Sequence, residues 1–358
     1  MARLVPTFAN LAFLSAAFLA CSPSPSPSQS PSPEEDGGVI ADVDAGDDTD
    51  GGTDVDGGTD VDGGADAGPT VAPTVLSSSP TDGEAGVRDN QLLTVFFSEP
   101  MDTASVEGAF SSTTLDDVTF AWDATESILS IAPVGGLFMI EGEGLDPSVV
   151  EPVAYDFTIG TTATSAEGEA LEAPYTVAFT TAKRMYANVE AVADLTRSML
   201  SNGTVHASDN PTLYVGDSAF AAATQIKTFI TIDLTPVPAG VEIEEAVLRA
   251  RQTAINGTPY ETLGTIQLEH VRFDVVDQDA FDAAALESLG TFSFNANLVN
   301  RAVDVLSAFA ADYANRDALG NVSQYRLSFP EPHDDDAEGD SAELARDSAR
   351  AQITYLAD

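Results

Sequence analysis

Lys227-Thr-Phe-Ile-Thr-Ile-Asp-Leu-Thr-Pro-Val-Pro-Ala-Gly-Val-Glu-Ile-Glu-Glu-Ala-Val-Leu-Arg-Ala250 decides the fold class. Phe229, Thr231 and Asp233 alternate with Ile230, Ile232 and Leu234, the period of two that sends successive side chains to opposite faces of a strand. Pro236 to Gly240 supply turn chemistry, and Ile243 to Ala250 form the next strand. The same texture, short β-rich runs broken by Gly, Pro, Asp and Ser, reaches back to Thr70. Its runs are Leu92–Phe97, Val118–Trp122, Ile128–Ile131, Val153–Ile159 and Tyr175–Phe179. Their density predicts a two-sheet sandwich built from about seven strands.

Within that first β region, four segments carry a resemblance. Pro80-Thr-Asp-Gly-Glu-Ala-Gly-Val87, Leu93-Thr-Val-Phe-Phe-Ser-Glu-Pro-Met-Asp102, Tyr155-Asp-Phe-Thr-Ile159 and Val177-Ala-Phe-Thr-Thr181 resemble the bacterial Ig-like domain of S-layer-protein type. The likeness covers about residues 71–182, and its most specific part is Phe-Ser-Glu-Pro-Met-Asp. The resemblance implies an immunoglobulin-like spacer or adhesive module. The Glu-Pro-Met-Asp loop is then a turn element, in which Pro100 restrains φ and Asp102 accepts hydrogen bonds from nearby amides. The segment Val134–Glu151 is longer than the family's usual hairpin connection.

Lys183 and Arg184 mark a junction, after which a second domain runs from 183 to 358. The Lys227–Ala250 stretch resembles the DNRLRE-type β-sandwich, a jelly-roll module classed with carbohydrate-binding modules. Thr212–Gly216, Ala302–Leu306, Tyr325–Phe329 and Ala351–Leu356 support the likeness, while Lys227 stands where the family usually carries Arg. Asp279–Leu289 and Val299–Ala314 have helical spacing and predict short helices at the sandwich rim.

The N-terminus has a different character. Arg3 precedes an apolar run, Leu11 to Leu19, of signal-peptide length and too short to span a bilayer. Ala17-Phe-Leu-Ala-Cys21 resembles the bacterial lipobox, although Phe18 stands where that motif prefers Leu. The resemblance implies cleavage of residues 1–20 and a lipid anchor on Cys21. Ser22, in place of the Asp that favours inner-membrane retention, implies export to the outer membrane and the cell surface. The alternative is an ordinary secretory signal cleaved near Ala20 or Ala17, which leaves Cys21 as a free thiol. Ser/Pro-rich and then Asp/Gly-rich chain fills 21–70. It has too few apolar side chains to offset the entropy of ordering, which predicts a disordered spacer.

The formal net charge is −44, with 58 acidic and 14 basic residues. Thirteen acids lie between Glu34 and Asp66, so 45 remain for the β-rich part and the spacer does not account for the acidity. Such a surface disfavours nucleic acid, whose phosphates need a basic face. With one cysteine there is no disulfide within the chain and no cysteine-based metal cluster. His206, His270 and His333 are scattered without zinc-ligand spacing, and no Gly-x-Ser-x-Gly elbow, phosphate loop or dinucleotide fingerprint occurs.

Two ligand candidates remain. His333-Asp-Asp-Asp-Ala-Glu-Gly-Asp340 forms the densest acidic loop, in which Asp334, Asp336, Glu338 and Asp340 would offer oxygens to calcium; a solvated loop is the competing reading. For sugar stacking, Tyr260 in Asn256-Gly-Thr-Pro-Tyr-Glu-Thr is the best exposed aromatic, with Tyr214 and Tyr313 behind it, whereas Trp122 suits a core. The expected protein is all-β, with an Ig-like and then a jelly-roll-like sandwich after a signal peptide and spacer. It is read as a lipid-anchored, non-enzymatic surface protein that needs no cofactor and binds polysaccharide or envelope proteins. A purely structural display role and a polysaccharide-active enzyme are the alternatives.

Overall fold

The computed structural model describes residues 71–206, 211–219, 224–336 and 338–358. The expected signal peptide, the Cys21 anchor and the spacer lie outside the described residues. The described chain is mostly strand, and it builds two sandwiches.

The first sandwich holds β1 (Val75–Ser79), β2 (Leu93–Phe97), α1 (Thr103–Ala109), β3 (Phe110–Ser111), β4 (Val118–Trp122), β5 (Ile128–Pro133), β6 (Glu141–Glu143), β7 (Ala154–Ile159) and β8 (Tyr175–Thr180). One sheet runs β1-β2-β5-β4 and the other β3-β7-β8. Period-two alternation sets the core between them: Leu93, Val95 and Phe97 from β2 meet Leu129 and Ile131 from β5, and all face Phe157, Ile159, Val177 and Phe179 across the sandwich. The Glu-Pro-Met-Asp element is structural, as expected. Met101 is fully buried, and the Asp102 carboxylate caps α1 by accepting from the Ser105 amide at 3.2 Å. Trp122 joins the same core edge, stacked on Phe97 with ring centroids 5.9 Å apart.

The second part contains β9 (Lys183–Glu190), β10 (Arg197–Leu200), β11 (Val205–His206), β12 (Thr212–Asp217), β13 (Gln225–Asp233) and β14 (Glu242–Asn256). It continues with α2 (Pro259–Thr262), β15 (Ile266–His270), α3 (Gln278–Asp282), β16 (Glu287–Ser293), β17 (Asn300–Asp304), α4 (Leu306–Ala314), β18 (Val322–Ser328) and β19 (Ser341–Ala357). The sheet path is β16-β15-β18-β13-β12-β19-β14-β17, with β9 on β19 and β10 on β13. The sheet curls around one apolar core in which Tyr325 and Tyr355 are wholly enclosed. β13 is covered on both faces. Ile230 and Ile232 enter the main core, while Phe229 enters a smaller cluster closed by Met199, Phe273 and Phe281.

The two predicted helices need correction. Only Gln278–Asp282 is helical in the first, and from Glu287 the chain is strand β16. In the second, Asn300–Asp304 pairs with β14 as β17 and the helix starts at Leu306. Spacing alone does not separate these states when the open edge of a sheet is available to pair.

The long connection at Val134–Glu151 has a specific use. Its strand β6 leaves the first sandwich and pairs in parallel with β9, Gly142 opposite Met185. Met139 packs with Ala182 and Leu356, and the Tyr355 hydroxyl donates to the Gly144 carbonyl at 3.1 Å. Arg184 donates to Glu244 at 2.9 Å and lies 3.5 Å from Asp89, while Arg88 pairs with Glu242. The junction is thus a shared sheet edge sealed by a small apolar cluster, and the exposed ion pairs add little to it.

Candidate functional site

A polar recess in the second sandwich opens at the Asn256 end of β14. Its cavity of about 320 Å³ is lined by His206, Tyr214, Asp217, Asn256, Ser341 and Glu343 among others. β12 positions Tyr214 because Leu213 and Val215 are committed to the core, so the residue between them must face outward. Its ring lies against His206, with centroids 4.4 Å apart and planes at 52°. Burial pushes the His206 imidazole below its ordinary value, which keeps it neutral near pH 7. Directly opposite Tyr214 on β19 stands Glu343, whose carboxylate accepts from the Asn256 side-chain amide at 2.9 Å. A neutral ring pair beside a fixed amide and carboxylate offers one flat apolar face and several hydrogen-bonding groups. That combination suits a sugar ring, which has an apolar face and a polar rim.

The acidic loop meets this recess from one side. Asp334, Asp336 and Asp340 bring carboxylate oxygens within 4.8 Å of one another. Glu338 is not part of that group; its amide instead donates to Asp336 at 2.7 Å. Sequence reasoning missed Asp217, whose carboxylate accepts from the Asp340 amide at 2.6 Å while its own amide donates to the Asp340 carbonyl at 2.8 Å. Burial pushes the Asp217 carboxyl up, and the neighbouring Asp334 and Asp340 charges add to the effect. Asp340 itself is enclosed and holds the turn before α2, accepting from the Thr258 amide and, at 2.8 Å, from the Thr262 hydroxyl. The three aspartates have the oxygen chemistry that calcium prefers.

Tyr260 does not form an exposed platform. It packs edge-on to Phe329 with centroids 5.5 Å apart, and its hydroxyl bonds Gln252 at 2.6 Å and Ser293 at 2.7 Å. Tyr313 is likewise engaged, donating to the Pro238 carbonyl at 2.6 Å. The structure therefore brings Tyr214 to the recess, while Tyr260 is half-buried and not among its lining residues. Among the described residues the most exposed aromatics are Phe138 and Phe294, at 63% and 66%, both unremarked in the sequence because nothing local sets them apart from core residues.

Of the two histidine–carboxylate pairs among the described residues, His333 with Asp335 and His270 with Asp312, the second is buried. His270 Nε2 lies 2.9 Å from Asp312, but the Ser323 hydroxyl donates to Tyr325 at 2.8 Å rather than facing the imidazole. Its order is wrong for a nucleophile–base–carboxylate relay, which needs the hydroxyl on the ring. A second cavity of about 300 Å³ is lined by Glu190, Thr196, Pro211, Arg346 and Asp347 with three alanines, and its Arg346 donates to the Ala193 carbonyl.

These features define an all-β chain of two sandwiches, the second with an open polar recess. Residues 69–181 match the bacterial Ig-like domain family. A search of curated proteins returns no match. Among solved structures, SGBP-B from a complex xyloglucan utilization locus in Bacteroides uniformis aligns at 7% identity over 78% of this chain and 73% of that one, with a TM-score of 0.22. The CBM51-2 and INT domains of Clostridium perfringens ZmpB align at 8% over 77% of this chain and 48% of that one, also at 0.22. At that score neither likeness carries an argument about fold or function.

Proposed function

We propose that this protein is exported, held at the outer-membrane surface by a lipid on Cys21, and binds polysaccharide without altering it. The observation that carries the binding reading is the recess in which Tyr214 and His206 pair beside Asn256 and Glu343. The apolar N-terminal run ending at Cys21 and the Ser/Pro and Asp/Gly spacer support surface display. The domain division at 182/183 is part of this reading, with the Ig-like sandwich lifting the second one outward. The experiment is glycan-array binding by the full chain and by Tyr214→Ala. Binding lost in the variant at unchanged melting temperature is the expected result. Binding that survives the substitution removes Tyr214 and the recess from the account.

A structural scaffold is the second reading, favoured by the β6–β9 pairing that makes the two sandwiches share a sheet edge. A rigid arm is what a spacer requires. Under that reading no glycan binds, and envelope proteins co-purify with the chain.

A further inference from the structure

In a chain with 14 basic residues against 58 acids, an arginine with neither a carboxylate nor a carbonyl to donate to is conspicuous. Among the described residues Arg88, Arg184, Arg197, Arg272 and Arg326 each contact a carboxylate, and Arg301, Arg316 and Arg346 donate instead to backbone carbonyls. Arg249 and Arg350 do neither, and they stand directly opposite each other on β14 and β19. Arg251 follows two positions later on β14 and is exposed on the same outward face, since Leu248, Ala250 and Gln252 point inward. Among the described residues none of the three side chains makes a hydrogen bond or ion pair. Glu190, opposite Arg350 on β9, makes no ion pair with it. The Nε atoms of Arg249 and Arg350 are shielded from solvent and donate to nothing.

Both facts cost stability. Like charges directly opposite in a sheet repel, and a shielded donor without a partner is destabilising. Glu190 on the neighbouring strand supplies an opposite charge but no hydrogen bond or ion pair, which leaves the guanidinium donors free for an outside partner, and a guanidinium cluster selects oxyanions. Position narrows the ligand further. Tyr214 is opposite Glu343 on β19, Ala345 is opposite Arg251, and Arg350 is opposite Arg249. The recess and the arginines therefore share one outward face, separated by about 15–25 Å of strand at ~3.3 Å per residue. Gln352 and Asn300 extend that face with exposed amides. A polymer lying along it would meet the ring pair first and the arginines next.

We propose that Arg249, Arg251 and Arg350 recognise the carboxylate or sulfate groups of an acidic polysaccharide whose neighbouring sugars occupy the Tyr214 recess. This rests on the polysaccharide-binding reading and names its substrate class. The overall negative charge does not oppose it, because screening confines charge effects to about 10 Å at ordinary salt.

The test is affinity electrophoresis of the full chain in gels containing polygalacturonate, dextran sulfate or uncharged dextran, beside a panel of neutral glycans on an array. Retardation by polygalacturonate identifies a carboxylate ligand, and retardation by dextran sulfate a sulfate ester. The expected result is salt-sensitive retardation in one acidic gel, weakened at least tenfold in the double variant Arg249→Gln/Arg350→Gln and several-fold in Arg251→Gln. Because the double variant removes a repelling pair, it should melt no lower than the parent chain. Equal retardation of parent and variants, or loss of folding in both variants, overturns the proposal. Neutral-glycan binding without any acidic binding overturns it while the recess reading stands. No binding to any glycan, charged or neutral, removes both.

Discussion

Asp312 on α4 holds His270 at the end of β15, its Oδ2 lying 2.9 Å from Nε2 while its Oδ1 accepts from Arg272 at 2.6 Å. One enclosed carboxylate thus staples a helix to the sheet. Burial alone would raise its pKa, but hydrogen bonds led by those with His270 and Arg272 outweigh that and hold it below the ordinary value. Removing the carboxylate leaves the buried His270 ring and the half-buried Arg272 without their shared acceptor, so Asp312→Ala should cost about 1–3 kcal/mol in denaturant unfolding.

The same group sets a pH dependence. A carboxyl with a depressed folded-state pKa contributes stability above its unfolded value, near 4, and loses it as pH falls through the folded value. Unfolding free energy measured from pH 6 downward should fall more steeply for the parent chain than for Asp312→Asn. Parallel curves would show that Asp312 is not a contributor to acid sensitivity.

Calcium should raise the melting temperature of the full chain if Asp334, Asp336 and Asp340 ligate it. At a hundredfold excess over the dissociation constant the stabilisation is about 2.7 kcal/mol, a shift of a few degrees. Asp336→Asn should abolish the shift, whereas Glu338→Gln should leave it. An unchanged melt in millimolar calcium disposes of the site.

Gly216 adopts φ +149°, and a Cβ there would lie 2.7 Å from the Asp340-adjacent Ser341 Cα, with the Asp340 carbonyl closer still. Gly216→Ala should therefore separate β12 from β19 locally, costing about 2–4 kcal/mol and detaching Asp217 from Asp340. A melt within 1 °C of the parent would contradict this.

Gly142 lies where β6 crosses to β9, and an added Cβ would sit 2.8 Å from Met185 Sδ and 3.1 Å from Val150 Cγ1. Gly142→Val should loosen the junction and resolve one calorimetric transition into two. A single unaltered transition would mean that β6 does not couple the sandwiches. For the anchor, labelled palmitate should enter the parent chain and not Cys21→Ala; incorporation into the variant would rule out that attachment site.

Sequence alone determined the strand-forming runs, the family likeness of residues 71–182 and the turn role of Glu-Pro-Met-Asp, because each depends on local spacing and backbone chemistry. The period-two reading of Phe229 to Leu234 held as a strand, yet it could not reveal that both faces are covered, since Phe229 needs Met199, Phe273 and Phe281 to be brought to it. Tertiary structure alone gave Tyr260 and Tyr214 their surroundings: the first is held by Gln252, Ser293 and Phe329, the second stands beside His206 at the recess. It likewise joined Asp217 to Asp340 across 123 positions and set Arg249 against Arg350. Periodicity reports which way a side chain points along its own strand. What lies on that side is fixed by which distant strands pair and how far the sheet curls, and no window of sequence carries that information.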